Sequence, residues 1–165
     1  MDRWKEIEEF PGYSVSHQGY IRNDHTGRIM AMTRNQQGIV QVGLSREGEQ
    51  YKRSVTLLVA HAFLDPPSNP NFDTPINLDG DRMNNNVDNL MWRPRWFAIR
   101  YHQQFKDPVH QGFMVPIVNL ADGIVYPNAI SASVEFGLLA KDITQAIVNR
   151  TYVFPTYQEF RLYEK

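Results

Sequence analysis

The chain has 165 residues, enough for one domain or two small ones, and 42% of them are hydrophobic, so a sizeable core is expected rather than disorder. It has no cysteine, which excludes disulfides and thiolate-held structural zinc; no apolar run approaches the ~18 residues of a transmembrane helix. Seventeen Lys+Arg stand against 18 Asp+Glu, a net charge of −1, so any phosphate-binding footprint has to be local.

The N-terminus, MDRWKEIEEF, is charged and has no apolar signal core, so a soluble, cytoplasmic protein without membrane attachment is expected. The first fifty residues then read as short strands. YSVS, YIRN, RIMAMT and GIVQVGL are rich in β-branched and aromatic residues, with HQG, HTG, NQQG and REGE as turns between them. The spacing puts Val15, Ile21, Ile29, Val40 and Val42 on one side of a small antiparallel meander. Val55–Leu64, VTLLVAHAFL, is nearly all apolar and stops before DPPSNP, which predicts a short buried helix.

An extended segment, an Asp-Gly turn and a polar loop follow in NFDTPINLDGDRMNNNVDNL. Asn77, Asn84, Asn85, Asn86 and Asn89 crowd this loop, although asparagine favours neither helix nor strand. Asparagine does brace turns, because its amide carries both donors and acceptors without charge. Met91–Phe105 is expected to be helical after Pro94, with Trp96, Ile99 and Phe105 on the apolar face and Arg95, Arg100 and His102 around it.

KDPVHQG reads as a linker. Beyond it, MVPIVNLADGIVYP predicts two strands joined by an Asp-Gly hairpin turn. NAISASVEF predicts a helix capped by Asn128 and stopped at Gly137, and AKDITQAIVNR a second helix with Ile143 and Ile147 on one face. Together they form a helix-turn-helix candidate, and TYVFPTYQEFRLY returns as a strand.

In this order the pieces resemble the phage-type HNH homing endonuclease family. WKEIEEFPGYSVSHQGYIRN is similar to that family's N-terminal β-module, and SVTLLVAHAFL to its V-H-R-L-V-A-x-A-F stretch. INLDGDRMNNNVDNLMW is similar to D-H-x-D-G-x-x-x-N-N-x-x-x-N-L-x-W, and the segment from Asp122 to Ile147 to the appended helix-turn-helix. The resemblance implies an α+β chain: a β-module over 1–54, an HNH-like ββα-metal region over 55–105, a linker over 106–114 and a helix-turn-helix module over 115–165. It also implies that Asn84, Asn85 and Asn89 brace the loop.

HNH chemistry needs a general base to activate water and a divalent ion to stabilise the leaving oxygen. The resemblance places Asn77 where the family has the basic His, Ile76 where it has a ligating Asp, Thr56 at the His of V-H-R, and Ala98 at the last ligand. All four positions depart from the pattern, so no catalytic residue and no metal cofactor are expected. A site rebuilt from Asp79 and His102, with His61 and Asp81 nearby, is the one arrangement that would call for Mg²⁺.

Arg93, Arg95, Arg100 and Lys106 form the densest cationic stretch, without a carboxylate among them in sequence, and suit DNA phosphates. In the second helix Lys141, Thr144, Gln145 and Asn149 are candidates for phosphate and base-edge contact. Three functional readings follow. The first is an inactive, phage-derived HNH homologue that binds double-stranded DNA. The second is a protein-binding or structural phage component, in the virion or against a host enzyme. The third is a nuclease with a rebuilt site.

Overall fold

In the computed structural model, which describes residues 1–106 and 112–165, the strands Val40–Arg46 (β5) and Glu49–Ser54 (β6) dominate the architecture, antiparallel from Gln41↔Ser54 to Arg46↔Glu49. Glu47 and Gly48, both at positive φ, make the two-residue turn whose twist matches such a pair. β4 (Met32–Arg34) adds to the other edge of β5. A second three-stranded antiparallel sheet is formed by β1 (Trp4–Glu6), β2 (Tyr13–Ser16) and β3 (Ile21–Asn23). The predicted meander is therefore two small sheets.

Chain contacts divide the molecule into two units, Met1–Arg95 and Trp96–Lys165. The first also holds α1 (Val55–Phe63) and the antiparallel pair β7 (Thr74–Asn77) and β8 (Leu90–Arg93). Ser54 is at once the last residue of β6 and the N-cap of α1, its Oγ accepting from Leu57 N at 3.3 Å. No linker separates strand from helix. One core runs through the unit, joining Phe10, Val15, Ile21, Val42 and Leu44 of the sheet region to Val55, Val59, Val87 and Leu90. The expected division at residues 54 and 55 thus crosses a continuous core. Ile29 is exposed instead of facing that core; Met30, the next residue, packs against it, as the two-residue period of a strand requires.

The second unit contains α2 (Arg95–Gln104, shared at its first residue), β9 (Ile117–Asn119), β10 (Val125–Tyr126), α3 (Ala129–Phe136), α4 (Ala140–Asn149) and β11 (Phe160–Leu162). The strands form one antiparallel sheet ordered β10-β9-β11. Ile117, Ala132, Leu138, Ile143, Ile147 and Phe160 build its core, so the predicted helix pair and its apolar face are present. Of the linker expected at 106–114, residues 107–111 lie outside the described residues.

The buried face of α2 differs from the expected one. Phe97, Ala98, Tyr101 and His102 are buried, while Trp96 and Ile99 are 51% and 57% exposed. Phe97 and Tyr101, four apart, stack at 6.2 Å, and the Tyr101 hydroxyl donates to Ser133 O at 3.3 Å. The paired aromatics Trp96 and Phe97 let either face read as apolar, and the packing of Phe97 on Phe154 with the Tyr101 bond to Ser133 selects the Phe97 face. Gln104 Oε1 accepts from Ala140 N at 3.1 Å, a service that the N-cap residue Leu139 has no side chain to provide. No helix among the described residues is long and apolar enough to cross a membrane.

Asn128 caps α3 as its sequence predicts, its Oδ1 accepting from Ser131 N at 2.9 Å and from Ser131 Oγ at 3.0 Å. Replacing Asn128 with Ala should lower stability by about 1 kcal/mol, and with Gly by only a few tenths, measured by urea unfolding.

Candidate functional site

The asparagines between β7 and the short 3₁₀ turn at Val87–Asn89 tie the loop to itself and to α1. Asn85 is the hub. Its Oδ1 accepts from Thr56 Oγ1 at 2.7 Å and from Asn77 Nδ2 at 3.1 Å, and its Nδ2 donates to Arg82 O at 3.2 Å. Asn77 Nδ2 also donates to Asn84 O at 2.8 Å. Thr56, Asn77 and Asn85 are 8%, 2% and 3% exposed, so this is a buried and wholly uncharged network.

Asn84 and Asn89 work at the rim, around Asp79. Asp79 Oδ2 accepts from Asn84 Nδ2 at 2.7 Å, and its Oδ1 from Asn89 Nδ2 and from Asp81 N, each at 2.9 Å. Asn89 closes the ring, accepting from Asp79 N at 3.1 Å and donating to Asn84 O at 2.9 Å. Asn86 caps the 3₁₀ turn through Asp88 N at 3.1 Å, a role the sequence reading did not single out. His17 O accepts from Val87 N at 2.8 Å, and Gly19, at φ +92°, lets the β2–β3 turn lie against Asn85. A Cβ at Gly19 would stand 2.8 Å from Asn85 Cβ, so only glycine fits there.

The fold therefore brings Thr56, Ile76 and Asn77 to one place in the N-terminal unit, while Ala98 and His102 sit on α2 in the second unit. Their chemistry does not fit a divalent ion. Ile76 is an aliphatic side chain buried in β7, and Thr56 and Asn77 are neutral groups already bonded to Asn85. Asp79, the rebuilt-site candidate, has both carboxylate oxygens taken up by the loop. His102 is buried with Nδ1 3.0 Å from Ala98 O, and His61 is exposed with its ring 5.3 Å from that of Trp92. Among the described residues, no three His, Asp or Glu side chains converge in a way that would hold a metal.

The cationic candidates separate into two groups. Arg95, Arg100 and Lys106 are exposed. Arg93 is not: at 5% exposure it is buried in β8 opposite Thr74, with Nη1 donating to Trp92 O at 2.8 Å. That burial removes it from the phosphate-binding set. The Arg100 guanidinium lies 5.5 Å from the centre of the Trp96 ring. Burial pushes the Asp142 carboxyl above its ordinary range, against the opposing pull of Arg100 and Lys141. A carboxylate absent from the α2 sequence is thus supplied by α4.

On α4, Lys141, Gln145 and Asn149 are exposed, while Thr144 is committed to structure, its Oγ1 accepting from Phe113 N at 2.8 Å.

Comparison with known proteins bears on this arrangement. Residues 2–45 match the NUMOD4 motif. Two uncharacterised HNH endonucleases of Acanthamoeba polyphaga mimivirus are 33% and 30% identical to the chain over 92 residues, 56% of its length. Those matches cover 27% and 23% of the relatives, so the chain spans about a quarter of their length. The chain also aligns with the HNH homing endonuclease I-HmuI, in a structure describing DNA binding and cleavage by that protein. The alignment covers 99% of each chain, with a TM-score of 0.53 and 24% identity, and shows a shared fold.

The network predicts an order of sensitivity. Asn85→Ala should cost about 1–3 kcal/mol, because it strands the buried Thr56 hydroxyl and the Arg82 carbonyl and takes one of its bonds from the Asn77 amide. Asn84→Ala and Asn89→Ala, nearer solvent, should cost less. Thermal unfolding of the three single variants checks this, and equal melting temperatures would show that the asparagines are not braces.

Proposed function

We propose that this chain, related by sequence and fold to the HNH homing endonucleases, binds double-stranded DNA without cutting it. The observation that carries this reading is the closed Thr56–Asn85–Asn77 network, which takes in the position where the resemblance puts the base, Asn77, and the position of the V-H-R histidine, Thr56. A threonine hydroxyl and two amides take up no proton near neutral pH, and a buried aliphatic Ile76 offers a cation nothing. The viral source of the two relatives supports a phage or viral origin. Binding would use Arg95, Arg100 and Lys106, with Lys141, Gln145 and Asn149 on the exposed side of α4. A protein-docking role has one observation in its favour, the exposed apolar pair Trp96 and Ile99 on α2.

Supercoiled DNA should remain intact with purified protein in Mg²⁺ or Mn²⁺. Metal-dependent nicking that disappears in Asp79→Ala, His102→Ala protein would establish the rebuilt site instead. Duplex binding, followed by fluorescence anisotropy, should weaken with salt at a log–log slope of roughly −3 to −5, from about three to five phosphate contacts. Changing Arg95 and Arg100 to Ala should flatten that slope by about two. A folded protein that binds no duplex even at low salt would leave the docking role.

Asp142 adds a pH dependence. Its protonation on acidification removes a negative charge beside Arg100 and Lys141, so DNA binding should tighten as pH falls through its raised pKa. The same shift makes the carboxyl a source of stability that is lost as pH rises. Asp142→Asn should reproduce the tighter binding at neutral pH, by about two- to fivefold at low salt, the size of one partly screened charge contact.

A further inference from the structure

Three arginines of the N-terminal sheets have a counter-charge: Arg22 meets Asp24 at 3.0 Å, Arg46 reaches Glu9 at 3.8 Å, and Arg53 pairs with Glu9 as well. Arg34 and Arg82 do not. Among the described residues neither guanidinium has a hydrogen bond or an ion pair. The acids nearest Arg82 in sequence are engaged elsewhere: Asp81 Oδ1 accepts from Met83 N at 2.9 Å, and Asp79 is enclosed by the loop.

The two arginines meet at the β4–β5 turn. Arg34 ends β4, at a turn that Asn35 makes rigid by accepting from Gln37 N at 3.0 Å and Ile39 N at 2.9 Å. The stem of Arg82 passes over the same turn, where a Cβ at Gly38 would stand 3.6 Å from Arg82 Cδ. The Arg82 backbone is fixed in turn, since its carbonyl accepts from Asn85 Nδ2. Arg34 is exposed and Arg82 half-buried, and burial together with the Arg34 charge lowers the Arg82 pKa. Two like charges, one partly desolvated, are destabilising side by side unless an anion joins them.

We propose that Arg34 and Arg82 clamp the phosphodiester backbone of bound DNA at the edge of the asparagine loop. Guanidinium forks suit phosphate oxygens, and a pair reaching in from two rigid elements holds the strand in a fixed place. The inference rests on the DNA-binding reading above and adds to it a site in the N-terminal unit, tied through Asn85 to the Thr56–Asn77 network.

The test is an anisotropy salt titration on duplex DNA with three proteins: wild type, Arg34→Gln with Arg82→Gln, and a control of equal charge change, Arg28→Gln with Lys52→Gln, both exposed in the same unit. The clamp pair should make the log–log slope shallower by about two, and the control should leave it near the wild-type value. Thermal unfolding of the clamp pair should show no loss of stability, because a repulsion has been removed. An Arg34→Lys, Arg82→Lys protein should keep the wild-type slope at lower affinity. Wild-type binding with the same slope in the clamp and control pairs would overturn the clamp and leave DNA binding standing. A lysine pair that behaves like the glutamine pair would overturn it too, by making the arginines structural. No wild-type binding at any salt removes both readings. Inorganic phosphate that raises the wild-type melting temperature without any duplex binding would assign the pair to a free anion and overturn the DNA clamp.

Discussion

One amide organises the N-terminal unit. Asn85 is bonded by α1 through Thr56, by β7 through Asn77 and by its own loop through Arg82, and the β2–β3 turn rests against its Cβ at Gly19. Four pieces of chain meet at this one side chain, two of them, at Thr56 and Gly19, far from it in sequence. Asparagine is suited to this because one planar group offers an acceptor with two lone pairs and a donor with two hydrogens. An aspartate there would lose the donor that meets the Arg82 carbonyl and bury a charge, and a leucine would leave the Thr56 hydroxyl and that carbonyl without this partner. The position of the loop, and with it of Asp79, Arg82 and Asn89, follows from satisfying that group.

The network also decides what the centre is able to do. Nuclease chemistry of the HNH kind needs a general base to activate water and a divalent ion to stabilise the leaving oxygen. Thr56, Asn77 and Asn85 satisfy one another without charge, and Ile76 seals the strand beside them. The cations that remain available, Arg95, Arg100, Lys106, Arg34 and Arg82, lie at the surface or its edge, where electrostatic attraction to a polyanion acts without chemistry.

Much of this was legible in the sequence, and the parts that were not share a physical cause. YSVS, VTLLVAHAF and the α3–α4 pair declare themselves because each buries one face and carries its own caps, Ser54 and Asn128 among them. β1, β6 and β8 do not, because WKE, EQYKRS and LMWR carry charges that mask the strand pattern. Register was the other weak point. Ile29 for Met30, Trp96 for Phe97, and the inward turn of Arg93 are each a matter of one position, which only a packing partner decides. At the site, the bonds of Asn84 and Asn89 stay within the loop, as its composition suggests, whereas Asn85 also reaches Thr56, 29 positions earlier. The role of Thr144 was not legible, since the amide it satisfies belongs to Phe113, 31 positions earlier. The Arg34–Arg82 pair was hidden for the same reason, as it exists only once the β4–β5 turn and the asparagine loop are side by side.

The direct passage of β6 into α1 at Ser54 has a consequence for how such chains are inherited. Shuffling of gene segments between relatives works best where the exchanged piece is a folding unit with its own interior, joined by a stretch that tolerates mismatch. Here the strand residues and the helix residues Val55 and Val59 fill one interior, and the residue between them serves both elements. A recombination junction at that point would join two half-interiors of unrelated shape. The N-terminal strands and the asparagine loop are therefore bound to travel as one heritable block, and a substitution on one side of Ser54 is exposed to selection through its fit to the other.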